Sequence, residues 1–165
     1  MSGETKSSGV NQRMAFSIGK WVDDTLYLAG VTAADRHTGR VVNGYADLPA
    51  DVAKNLSTGL LVTDAREGPI VAQAWFVFDQ IRNILERQGL GLENVIRMEQ
   101  FLTDMNDYVA FNRVRQVFWP ENPPAGTVVA VNALLPTNEV RLEVQVTASR
   151  RRPETISWSD DPGRW

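Results

Sequence analysis

Val140-Arg141-Leu142-Glu143-Val144-Gln145-Val146-Thr147-Ala148 decides the fold class of this chain. Successive side chains of a strand leave on opposite faces. Val140, Leu142, Val144, Val146 and Ala148 are therefore predicted to face a core, while Arg141, Glu143, Gln145 and Thr147 share the other side. Upstream, Pro123-Pro124-Ala125-Gly126 leads into a β-rich run from Thr127 to Ala133, and Leu135-Pro136-Thr137-Asn138 separates the two runs with turn formers. The two runs are expected to pair as a β-hairpin. The polar face admits two readings: a solvated outer surface, common for antiparallel sheets, or the wall of a cleft shared with another subunit.

Working outward, 165 residues with 43% hydrophobic and 22% charged side chains suffice for one globular domain with a sizeable core. A net charge of −3 offers no clustered basic surface, so nucleic acid is disfavoured as a partner. There is no cysteine, which excludes disulfides, thiolate nucleophiles and cysteine-ligated metals. The one histidine, His37, cannot build a zinc site alone and sits in the turn-forming stretch Asp35-Arg36-His37-Thr38-Gly39-Arg40. No metal or cofactor is expected. Met1 to Val10 carries neither a signal-peptide pattern nor a membrane span, so a cytoplasmic protein without a membrane partner is expected.

In chain order, residues 1–14 read as a flexible segment, followed by a strand at Ala15 to Lys20, a turn at Asp23-Asp24 and a strand from Thr25 to Val31. Val41 to Gly68 shows little regular pattern beyond a short helix after Leu48-Pro49, and is read as a packed functional loop or a loosely ordered one. Ile70 to Gln88 is the best helix. Ile70, Ala74, Val77, Phe78, Ile81, Ile84 and Leu85 form its apolar stripe, with Gln73 among the polar positions away from it. Gly89-Leu90-Gly91 ends that helix and lacks the third glycine of a dinucleotide fingerprint, since Asn94 stands there. Asn94 to Leu102 reads as a strand. Asp104 with Asp107 three residues later reads as a variant capping box opening a helix, in which Tyr108, Phe111, Val114 and Phe118 face the sheet and which Pro120 stops. The order of elements implies an α+β two-layer domain, a mixed sheet with two helices on one face. Residues 151–165 read as a solvated tail in which Trp158 and Trp165 supply groups able to dock.

Leu26-Tyr27-Leu28-Ala29-Gly30, Gln88-Gly89-Leu90, the Phe101 to Tyr108 junction with Asn112, Pro124-Ala125-Gly126 and Val140-Arg141-Leu142-Glu143-Val144 together resemble the RidA/YjgF/UK114 family. The likeness runs from about residue 15 to 150 and leaves out much of an insertion at about 43–67. It implies a chorismate-mutase-like α+β fold, a homotrimer packed through its sheet faces, ligand clefts between subunits, and hydrolysis of reactive enamines and imines to ketones and ammonia. It puts Glu143 in the place of the water-orienting glutamate. It puts Asn112, Gly126, Thr127, Val128, Ala29, Gly30 and Arg141 at substrate-binding positions. The chain departs from the family pattern in three of these. Gly126 replaces the arginine that grips a substrate carboxylate as a bidentate fork, Ala29 replaces a hydroxyl residue and Val128 a cysteine.

Two functions are therefore expected to compete. The first is an enamine or imine deaminase acting on something other than a simple amino-acid imine, with Glu143 placing the water. The second is a non-catalytic trimeric protein that holds a small metabolite. From strand geometry alone, Arg141 and Gln145 lie two residues from Glu143 on the same face. The carboxylate is expected to stay ionised if Arg141 pairs with it, and to take up a proton more readily if the cleft desolvates it alone.

Overall fold

The alternating run becomes the spine of the sheet. In the computed structural model, which describes residues 17–36, 38–156 and 160, it forms β6 (Leu142–Ser149), buried at every second residue. The expected segment 1–14, His37, Trp158 and Trp165 lie outside the described residues. Among those described, the other strands are β1 (Gly19–Val22), β2 (Thr25–Leu28), β3 (Val31–Thr32), β4 (Val95–Leu102) and β5 (Ala125–Ala130). The helices are α1 (Ala50–Leu56), α2 (Leu61–Arg87) and α3 (Tyr108–Phe118).

The expected hairpin is not there. The sheet order is β1-β2-β6-β4-β5, with β3 also on β6. β4 lies between the two runs, antiparallel to β6 and parallel to β5. Residues 131–141 therefore carry the chain across β4 instead of turning it back on itself. Turn formers mark where a strand ends; they do not say which strand it will pair with. The expected β1–β2 hairpin does form, its turn taken by Asp23 at φ 49°, a left-handed conformation that aspartate tolerates.

The helices cover one face. Ile70, Val71, Ala74, Val77, Phe78, Ile81 and Leu85 of α2 are fully buried, worth about 10 kcal/mol before conformational entropy is subtracted. α2 starts nine residues earlier than the apolar stripe alone predicts, with Pro69 inside it. Its first turn is tied to the preceding loop through Asp64, which accepts from Thr58 N and Oγ1 (both 2.8 Å) and Gly59 N (3.0 Å). Those bonds, the Thr58 backbone bond first, lower the Asp64 pKa. Within α3, Phe111 and Val114 are buried as expected, whereas Tyr108 is about one-third exposed at 37%, its ring 6.3 Å from that of Phe111.

Two expectations about polar residues are corrected. Gln73 is fully buried instead of lying on the wet side of α2. Asp104 does cap the turn before α3, accepting from Asn106 N at 2.9 Å, but Asp107 does not reach back to close a capping box; its carboxylate goes to Arg141. The end of β6 is fastened to its surroundings: Asn94 Nδ2 donates to the Ser149 carbonyl at 2.8 Å, the Arg150 N–H donates to the Asp24 carbonyl at 2.9 Å, and the Arg150 guanidinium stacks over Trp21, 4.2 Å from the ring centroid.

Candidate functional site

On β6, Leu142, Val144, Val146 and Ala148 point at the helices. Glu143, Gln145 and Thr147 occupy the opposite, uncovered face of the sheet, half-buried. Glu143 stands in register with Thr32 of β3 and Phe101 of β4. The chain between β2 and β3 passes directly beside its carboxyl group. A Cβ on Gly30 would lie 1.9 Å from Glu143 Oε1 and 2.6 Å from its Cδ, so only glycine leaves room for the carboxylate. Among the described residues Glu143 makes no hydrogen bond or ion pair, and burial by itself raises its pKa above the ordinary carboxylate value.

Arg141 does not partner Glu143. Its guanidinium donates to Asp107 Oδ1 at 2.7 Å, its backbone N–H donates to Gln73 Oε1 at 2.8 Å, and Gln73 Nε2 donates to the Glu139 carbonyl at 2.8 Å. Thus the chain just before Glu143 is pinned to α2 and to the start of α3. Desolvation raises the Asp107 pKa against the opposing pull of Arg141, and Asp107 Oδ2 is buried without a hydrogen-bond partner.

The remaining expected site residues separate by face. Thr127 lies exposed on the uncovered face in register with Glu99, two strands from β6. Gly126 and Val128 align with Met98 and Gln100, which point at the helices, so these two positions belong to the opposite side of the sheet. Asn112 is on that side too, in α3, where its Oδ1 accepts from Arg115 Nε at 3.0 Å. Ala29 lies between β2 and β3, its N–H donating to the Ile18 carbonyl at 2.9 Å. One chain therefore brings Glu143 and Gly30 together, and holds Gly126, Val128 and Asn112 on the far side of the same sheet. Beside Glu143's row, Arg97, Glu99, Phe101, Thr127, Val129 and Gln145 are among the residues lining an open hollow of about 390 Å³; Arg97 Nε and Glu99 Oε1 pair within it at 2.9 Å.

Thr32, Phe101 and Gln100 escaped the sequence reading. The first two flank Glu143 only through strand pairing, which no local pattern encodes. Gln100 did leave a signal: a glutamine at a core position between Met98 and Leu102.

Against known proteins, the profile of the family described as Endoribonuclease L-PSP matches residues 51–150. The chain belongs to this family, the RidA/YjgF/UK114 group. A solved Klebsiella pneumoniae structure, described as a candidate endoribonuclease, is 35% identical with a TM-score of 0.78, covering 81% of this chain and 98% of that one. The structure of the Escherichia coli YjgF gene product, 24% identical with a TM-score of 0.60 over 82% of this chain and 88% of its own, shares the fold. This is the α+β chorismate-mutase-like fold of RidA proteins. A 2-iminobutanoate/2-iminopropanoate deaminase from Dermatophagoides farinae is 31% identical over 98 residues, 59% of this chain and 72% of that protein. The chain spans only 55% to 64% of the length of the first curated RidA relatives it matches. No helix among the described residues is long and apolar enough to cross a membrane, and no cluster of three or more His, Asp or Glu suited to a metal occurs among them.

Proposed function

We propose that this RidA-family chain hydrolyses a reactive enamine or imine in clefts between copies of a cytoplasmic homotrimer. The observation that carries the reading is the Glu143 carboxyl: half-buried, free of partners among the described residues, and packed against a bare glycine. In the reaction the oxygen of water adds to the imine carbon while Glu143 accepts the proton that water gives up. That proton passes to nitrogen to give a carbinolamine, whose hydroxyl proton is then taken by Glu143 and delivered to the same nitrogen as the carbon–nitrogen bond breaks, so that a carbonyl compound and ammonia leave. The likeness to the Dermatophagoides deaminase supports this chemistry. Assembly is supported by the separation of Gly126, Val128 and Asn112 from Glu143 across the sheet: groups on opposite faces converge only when one copy's edge meets another copy's open face.

Gly126 in place of a guanidinium argues for a substrate other than a simple amino-acid imine. The same substitution, with Ala29 and Val128, favours the second reading, a trimeric metabolite-binding protein without catalysis. Ammonia release from a panel of imines generated in solution separates the two. Release that is abolished in Glu143→Gln supports the enzyme. No release above the uncatalysed rate from any imine overturns it.

A further inference from the structure

Arg141 has two carboxylates to choose from, Asp107 and Glu143. Its carbonyl accepts from Thr103 N at 3.1 Å, so the ladder that pairs Glu143 with Phe101 and Leu142 with Leu102 runs on through Arg141. Strand alternation then starts its side chain on the face of Glu143, about 7 Å along the chain, a span that the long arginine side chain covers. The guanidinium goes the other way and donates to Asp107 Oδ1 at 2.7 Å. Burial decides the competition. The Asp107 side chain is 9% exposed and feels the negative charges of Asp104 and Glu67, so a buried carboxylate here loses more than half-buried Glu143 does when its cation leaves. Among the described residues no other cation takes the place beside Glu143. The chain before β3 brings Gly30 and β3 brings Thr32, neither of them charged. β4 brings Phe101 in register, and the charged groups farther along the same face, Glu99 and Arg97, pair with each other at 2.9 Å.

We propose that Asp107 is a positioning residue for the proposed reaction: it holds the Arg141 guanidinium at the end of the sheet, away from Glu143, and so leaves the Glu143 carboxyl without a counterion. This rests on, and deepens, the reading of Glu143 as the group that takes the proton from water. A carboxylate paired with a guanidinium accepts a proton poorly, whereas an unpaired, half-buried one accepts it readily. Asp107 acts on the chemistry through the charge it keeps away.

The experiment follows the Glu143 carboxyl itself. The assembled protein, isotope-labelled at its glutamate carboxyl carbons, is titrated with acid by NMR, and the Glu143 signal is the one missing from Glu143→Gln. The variants are Asp107→Asn, Arg141→Met and the two combined. Asp107→Asn, which keeps the size of the buried side chain, is expected to release the guanidinium toward Glu143 and lower the proton affinity of that carboxyl about tenfold or more. Arg141→Met alone is expected to leave that affinity unchanged, and the double variant to return it to the wild-type value. Damage to the packing around Asp107 would not be undone by removing Arg141, so this recovery separates charge from structure. Asp107→Ser carries the test if the asparagine variant does not fold. A Glu143 titration unmoved in the Asp107 variants, a shift that persists in the double variant, a shift produced by Arg141→Met alone, or failure of both Asp107 variants to fold overturns the proposal. In the pH profile of ammonia release, the acidic limb is expected to move down with the titration. Glu143-dependent release with an unmoved titration removes this inference and leaves the hydrolysis standing. A titration moved by Asp107→Asn and recovered with Arg141→Met, without ammonia release, does the reverse.

Discussion

Glu143 and Gly30 make a pair in which each constrains the other. Desolvation raises the Glu143 pKa, so the folded protein holds that proton more tightly than the unfolded chain. The group's contribution to stability is therefore fully present below the ordinary value of 4.5 and is lost as pH rises through the raised folded value. Glu143→Gln removes a charge that burial disfavours at neutral pH. Its thermal midpoint is expected to match or exceed wild type there, with the advantage gone near about pH 4, while ammonia release falls by about 10². A lowered neutral midpoint with unchanged turnover would reassign Glu143 to structure. Gly30→Ala tests the neighbour. The new Cβ meets the far end of a flexible side chain, so the fold is expected to survive with a nearly unchanged midpoint. The carboxylate swings away, and turnover is expected to drop by about 10², the scale of a 1 Å misplacement. Wild-type turnover in a folded Gly30→Ala protein would mean that the carboxylate position is immaterial.

The elements were legible in the sequence wherever periodicity carried them. The alternation of β6 and the apolar stripe of α2 each repeat the geometry of a single element, so the buried faces follow from spacing alone. Pairing was not legible. β4 inserts between β5 and β6 because of contacts distant in sequence, and a turn-rich connection looks the same whether it joins neighbours or crosses a third strand. The start of α2 was hidden by Gly68-Pro69, which normally punctuates helices but here lies inside one. Gln73 was misread because helical spacing sees its polarity and not the backbone it serves. Removing it by Gln73→Leu strands the Glu139 carbonyl and the Arg141 N–H. Urea denaturation is expected to register a loss of about 2 to 4 kcal/mol with the m-value unchanged. A loss well under 1 kcal/mol would mean that water replaces both bonds.

At the scale of the whole molecule, the family motifs marked Glu143 and Gly30 as candidate site residues, and the fold sets the two side by side. The separation of the candidate residues over the two sheet faces was not readable, because it depends on which strand lies beside β5. That separation yields a prediction about assembly. Light scattering is expected to give about three times the 18.4 kDa chain mass at micromolar concentration, and turnover per chain should fall on dilution as copies separate. A monomer with full turnover would overturn the shared cleft.

Among the described residues β5 ends the sheet, paired with β4 on one side only, and Ala125 to Ala130 contains neither charge nor proline. Such an edge leaves a row of free backbone donors and acceptors on a β-prone sequence, a template for uncontrolled strand addition. Assembly that covers this edge would then protect the protein from aggregation as well as complete its chemistry. Substitutions that weaken the contact between copies are expected to appear as insoluble, thioflavin-binding material before any stable monomer accumulates, and a charged residue at Thr127 or Val129 is expected to suppress it.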